Sequence, residues 1–123
     1  MTESLGRDQR LRKRRVLQVL FKKGRFFKGK FLRIWVCEDP EDKKNPEAAP
    51  QVGVIVSRKT DLRAAKRNLW KRRIREAFRR NQARIKKNTA VLVQAAKAPA
   101  EIPSYQTLQA ELFELLAEAG SLK

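Results

Sequence analysis

The sequence predicts an α+β protein. Three segments repeat apolar residues at the one-turn spacing of an amphipathic helix. Three others are short runs rich in β-branched and aromatic residues, bounded by turn formers. At 123 residues the chain suits a single domain, 1–123, able to bury a core without disulfides or metals.

The first helix is read from "RKRRVLQVLFKKG". Val16, Leu17, Leu20 and Phe21 recur one turn apart and Gly24 is placed to cap, so the helix runs from about 12 to 23. "KFLRIWVC" follows as a strand. Its alternation sends Leu32, Ile34 and Val36 to one side and Phe31, Arg33, Trp35 and Cys37 to the other. Residues 38–51, "EDPEDKKNPEAAPQ", are acidic and carry prolines, which predicts an exposed loop. In "QVGVIVSRK", Val52, Val54 and Val56 alternate with Gly53 and Ile55, so a second strand is expected. A loop between two strands predicts that they pair antiparallel.

Thr60 or Asp61 is a natural N-cap for the next helix, which contains "AAKRNLWKRRIREAFRRN" and extends to about Lys87. "TAVLVQAA", residues 89–96, is apolar on both faces and predicts a central strand. "APAEIP" is a loop. Ser104 caps a last, acidic helix with Leu108, Leu112, Leu115 and Leu116 on one face and Gly120 at its end. The order read from the residues alone is helix, strand, strand, helix, strand, helix. No internal repeat or low-complexity tract interrupts it.

Charge narrows the function. Thirty basic and 13 acidic residues give a formal net charge of +17, which points to a polyanionic partner, nucleic acid first. Residues 7–33 hold twelve Lys or Arg, and residues 58–87 hold fourteen. The lone Cys37 excludes an intramolecular disulfide, and the lack of histidine removes the usual zinc sites and His-based triads. No 18-residue apolar run is present, so no transmembrane helix is expected. "MTESLGRDQRLRKRRVLQVLF" has no uninterrupted apolar segment, and the expectation is a cytosolic protein.

Eight of the eighteen residues from Ala64 to Asn81 are Lys or Arg, with Glu76 the one acid. Like charges one turn apart repel, so the counter-charge must come from outside the chain. At 100° per residue, Trp70, Ile74, Ala77, Phe78 and Ile85 share one arc. Asn68, Lys71, Arg72, Arg75 and Arg79 share the opposite arc, with Arg67 near the edge of the apolar one. Arg outnumbers Lys here, which suits bidentate contacts to phosphate.

"VGVIVSRK" followed by "AAKRNLWKRRIREAFRRN" resembles the bacterial ribonuclease P protein component. That family has a Val-Ser-Lys-Lys-like strand end, then a helix with Arg-Asn-Arg, Lys-Arg and Arg-Glu-x-Phe-Arg. Arg67, Asn68, Lys71, Arg72, Arg75, Glu76, Phe78 and Arg79 match. Leu69 stands where the family usually has the third residue of Arg-Asn-Arg, and Val16-Leu17 where it has Asp-Phe. "RLRKRRVLQVLFKKGRFFKGKFLRIWV" resembles the family's amino-terminal helix, glycine turn and first long strand, so the resemblance covers nearly the whole chain.

The resemblance implies a two-layer α-β sandwich of order αβββαβα with a left-handed βαβ crossover. It implies a subunit that assists a catalytic RNA in removing the 5′ leader of precursor tRNA. The protein is then part of an endoribonuclease without supplying the chemistry. It binds no cofactor, and Mg2+ is expected through the RNA. The catalytic RNA would meet Arg67, Asn68, Lys71, Arg72, Arg75 and Arg79. The single-stranded leader would lie in a cleft walled by Leu17, Phe21 and Trp35, with Lys13, Arg14, Lys30, Arg33, Arg58 and Lys59 on its rims. Basic rims and stacking surfaces are what a single strand requires. Precursor tRNA and other structured RNAs are the expected substrates, and no membrane is involved.

Rival classes are set aside on composition and pattern, except one. A carboxylate-metal nuclease would need clustered acids, but Asp8, Asp61 and Glu76 are dispersed. A membrane-surface peptide would lack the evident strands. A ribosomal or other structural RNA-binding protein shares the charge and size and is the alternative.

Overall fold

The computed structural model describes residues 14–38, 49–96 and 101–123. Its elements are α1 (Arg14–Lys23), β1 (Arg25–Lys28), β2 (Leu32–Glu38), β3 (Gln51–Ile55), α2 (Ala64–Asn81), β4 (Thr89–Ala95) and α3 (Tyr105–Glu118), with a 3-10 turn at Gln82–Arg84. The order is αβββαβα. The strand missing from the residue-based reading is β1, whose four residues "RFFK" begin and end on a cation.

The strands form one sheet in the order β1-β2-β4-β3. β2 runs antiparallel to β1 and β4, and β3 runs parallel to β4. The expected antiparallel pairing of β2 with β3 is therefore corrected: β4 lies between them. Its residues Thr89 to Val93 and Ala95 are buried. Only an interior position covers both faces of such a strand while pairing both its edges.

A parallel pair needs a crossover, and α2 supplies it between β3 and β4. Trp70, Ile74, Ala77 and Phe78 of α2 and Leu108, Leu112, Leu115 and Leu116 of α3 form the main core with Leu32, Ile34, Val36, Val52, Val91 and Val93. The opposite face of the sheet carries α1, where Leu20 packs with Ala90, Leu92, Trp35, Cys37 and Ile55. Phe31, expected beside Trp35, instead packs on the main core. It precedes the first residue of β2, so strand alternation does not govern it.

Helix ends follow local chemistry. Ser104 Oγ accepts the Thr107 amide at 3.2 Å. At the other end of α3, Gly120 at φ 71° donates to the Ala117 carbonyl and Ser121 donates to that of Leu116. This paired arrangement is the Schellman cap, and it favours glycine at the left-handed position. Neither Thr60 nor Asp61 is the N-cap of α2. That position is Arg63, whose amide donates to Asp61 Oδ1 at 2.9 Å. Thr60 Oγ1 donates instead to the Ala95 carbonyl at 3.1 Å, tying the turn to β4. α2 stops at Asn81 rather than near Lys87, and Ile85 leaves the helix to bridge Leu122. Of the expected acidic loop, residues 39–48 lie outside the described residues. Glu38 ends β2, and Pro50 is buried before β3 opens at Gln51.

One side chain secures the β1–β2 hairpin. Glu111 of α3 accepts the backbone amides of Lys30 at 2.9 Å, Phe31 at 2.8 Å and Leu32 at 2.6 Å. A side chain at Gly29 would stand within 2.9 Å of the Glu111 side chain, so glycine is what lets the carboxylate under the turn. Glu111→Ala strands three amides, and it is expected to lower stability by about 2 kcal/mol. Thermal melting should drop by roughly 5–10 °C, with Glu111→Gln intermediate; an unchanged melting temperature would contradict the assignment.

Candidate nucleic-acid interface

Two cationic surfaces lie on opposite sides of the sheet. The first is the outer face of α2, left over once its apolar arc is buried. Asn68 and Arg72 are exposed, and Arg67, Lys71, Arg75 and Arg79 are half-buried. Several cations of the helix serve the fold itself. Arg67 Nη1 donates to the carbonyls of Asp61 and Leu62 at 3.0 and 2.9 Å. Arg73 Nη1 reaches the Pro103 carbonyl at 2.7 Å. Arg79 grips Glu76 through two nitrogens, one at 2.9 Å, and Arg80 Nε adds a third contact at 3.0 Å. Among the described residues, Lys71 and Arg72 have no hydrogen-bond or ion-pair partner.

The two acids here are held ionised. Hydrogen bonding from the Arg79 side chain, with charge from Arg79 and Arg80, holds the Glu76 carboxyl below its ordinary value. The Arg63 side chain does the same for Asp61. A depressed carboxyl stabilises the fold above its unfolded pKa and loses that contribution as pH falls through the lowered value. Leu69 lines two shallow hollows of about 310 and 360 Å³ beside the start of α3, with Arg73 bordering both.

The second surface is the face of the sheet that α1 covers in part. Register places Phe26, Trp35, Leu92 and Gly53 in one row across the four strands. The next row is Lys28, Arg33, Gln94 and Ile55. Phe21 of α1 meets Trp35 edge-on, with ring centres 4.8 Å apart at 66°. Phe26 meets the same indole at 5.0 Å and 46°. Phe21 is 45% exposed and Phe26 50%. Gly24 permits the approach of α1 to β2: a side chain there would collide with the Leu20 carbonyl and stand 3.2 Å from Trp35 Cβ.

Arg33 is half-buried, and its Nε is buried with no hydrogen-bond partner among the described residues. Arg58 and Lys59 are exposed in the turn after β3, at the end of the sheet where Arg33 lies. Lys30 stands in the β1–β2 turn with its Nζ 5.2 Å from the centre of the Phe31 ring, on the side of the main core. Arg14 and Leu17 belong to α1, but their side chains lie outside the described residues, as does the whole of Lys13. Sequence reasoning missed Phe26 and Lys28. The alternation in "RFFK" after a glycine turn was the available signal for both.

A small α+β sandwich thus presents cations on the outer face of one helix and partly exposed rings among cations on the opposite face of the sheet. The Ribonuclease P family matches residues 5–120, and the chain belongs to that family. It is 36% identical over 93 residues to the ribonuclease P protein component of Thermotoga maritima, covering 76% of this chain and 74% of that protein. It is 33% identical over 119 residues to that of Thermotoga sp. strain RQ2, covering 94% and 96%. The RNase P protein structure from Staphylococcus aureus superposes with a TM-score of 0.78 at 26% identity, over 94% of this chain and 98% of that one. That from Thermotoga maritima gives 0.73 at 29%, over 89% and 96%.

The division of the α2 cations between fold and surface can be measured without RNA. Arg67→Ala removes two bonds to carbonyls and is expected to lower unfolding free energy by about 1–2 kcal/mol. Arg72→Ala should stay within about 0.5 kcal/mol of the parent. Denaturant titration of both variants tests this, and equal losses would contradict it.

Proposed function

We propose that the chain is the RNA-binding protein subunit of a cytoplasmic ribonuclease P ribonucleoprotein. In this reading a catalytic RNA cleaves precursor tRNA and the protein holds both RNAs in place. The outer face of α2 takes the backbone of the catalytic RNA, with Lys71 and Arg72 as its free cations and Arg67, Asn68, Arg75 and Arg79 around them. A folded RNA is recognised largely through shape and phosphates, which suits a rigid helix. The α1 side of the sheet takes the single-stranded 5′ leader. Phe21 and Trp35 offer rings for bases, and Arg33, Arg58 and Lys59 offer charge for phosphates.

The observation that carries the reading is the half-exposed Phe21–Trp35 pair, 4.8 Å between ring centres, on the face of the sheet opposite α2. Two surfaces back to back let one subunit touch enzyme RNA and substrate at once. In this reading Mg2+ belongs to the RNA and no chemical step is routed through the protein. The same leader surface, tolerant of base identity, suits other structured RNA substrates with single-stranded ends.

The assignment of α2 is tested by the salt dependence of its assembly with catalytic RNA. Each lost phosphate contact should reduce the slope of log affinity against log salt by roughly 0.7–0.9, so Lys71→Ala with Arg72→Ala should reduce it by roughly twice that. An unchanged slope would move the RNA surface off this helix.

The leader assignment is tested by paired binding of precursor and mature tRNA to the reconstituted holoenzyme. Stacking of a base on a ring is worth about 1–3 kcal/mol. Trp35→Ala should therefore weaken precursor binding by roughly one to two powers of ten and leave mature tRNA nearly unaffected, with circular dichroism checking the fold. Equal losses for both tRNAs, or none for either, would return Trp35 to a purely packing role.

A further inference from the structure

The third ring of the cluster, Phe26, has no part in the core. It sits on the edge strand β1, half of its surface open to solvent, while its neighbour Phe27 turns inward to the main core. Its register partner is Trp35, and their ring centres are 5.0 Å apart. Trp35 thus contacts both Phe21 and Phe26. Phe21 and Phe26 are the rings of the cluster most open to a ligand, and each leans on the indole that the leader reading already uses. An exposed aromatic pair around a half-buried third ring is an interaction patch, since single exposed aromatics are seldom collected this way by chance.

Charge continues along the same strand. Lys28, two residues on, lies on the face of Phe26 and opposite Arg33 in register. Both Lys28 and Phe26 are exposed. β1 therefore presents a ring and a cation at the spacing of alternate strand residues. In a single strand, base and phosphate alternate in the same way.

We propose that β1 is a separate nucleotide subsite, in which Phe26 stacks one base of the bound single strand and Lys28 meets its phosphate. This rests on the leader reading above and extends it: Phe21 and Phe26, which both contact Trp35, engage two different nucleotides. The subsite takes a base by its π-face and so is indifferent to base identity. Glu111 holds the hairpin turn that carries it, so the subsite is fixed to α3 rather than left on a free edge.

The test uses the reconstituted holoenzyme and precursor tRNAs that each carry one abasic nucleotide in the leader. Binding is measured for the parent protein and for Phe21→Ala, Phe26→Ala, Phe26→Leu and Lys28→Ala. With an intact leader, Phe26→Ala should weaken binding roughly five- to hundredfold. It should also silence one abasic position, different from the position silenced by Phe21→Ala. Phe26→Leu keeps apolar packing on Trp35 but lacks a flat ring, so it should behave like Phe26→Ala. Lys28→Ala should lower the salt slope of leader binding by roughly 0.7. If Phe21→Ala silences a position while Phe26→Ala silences none, or the same one, the subsite is refuted and the leader reading stands. If no abasic position matters and no ring variant changes binding, the leader reading falls and takes the subsite with it.

Discussion

The molecule is organised around β4. A seven-residue strand with both faces buried must have strands on both edges and cover on both sides. β2 and β3 supply the edges, which pulls them apart although they are neighbours in sequence. α2 follows as the crossover that a parallel β3–β4 pair requires, and α3 fills the remaining width of that face. α1 covers the other face only in part. Among the described residues, the part of that face beside α1 is where Phe26 and the Lys28–Arg33 row lie. The position of the candidate interface is thus a consequence of where one apolar strand has to go.

In a chain of net charge +17, three acids of the described regions each hold a different part of the fold. Asp61 meets the first turn of α2 through the Arg63 amide and guanidinium. Glu76 holds two arginines in the second half of the helix. Glu111 satisfies three backbone amides. Internal pairing quiets part of the repulsion along α2, and Lys71 and Arg72 are left to outside anions. Sulfate or phosphate should compact the free chain by relieving the same self-repulsion.

What could be read in advance was local. The existence of α2 and its buried arc were legible though its ends were not, Ser104 and Gly120 bound α3, and β4 is central because both of its faces are apolar. Strand partners were not legible, because pairing is settled by burial of the whole sheet and not by the pattern of two segments. β1 was too short and too charged at its ends to stand out. The role of Glu111 was invisible, since its partners lie 79 to 81 positions away and a glutamate on an acidic helix reads as solvated. Arg67 lies by angle near the edge of the apolar arc, and the turn before α2 offers it two carbonyls. That turn is fixed by Thr60, a tertiary contact no helical wheel contains.

β1 has one further consequence. It is an outer strand, and an outer strand with free amides and carbonyls invites another chain to pair with it. Here that strand is four residues long, begins with Arg25 and ends with Lys28. Arg25 is itself anchored to the Ala119 carbonyl at 2.7 Å. A second copy adding to this edge would have to bring like charges together at both ends of a very short ladder. The cations at the two ends of this strand therefore also discourage fibre-like growth from the sheet edge.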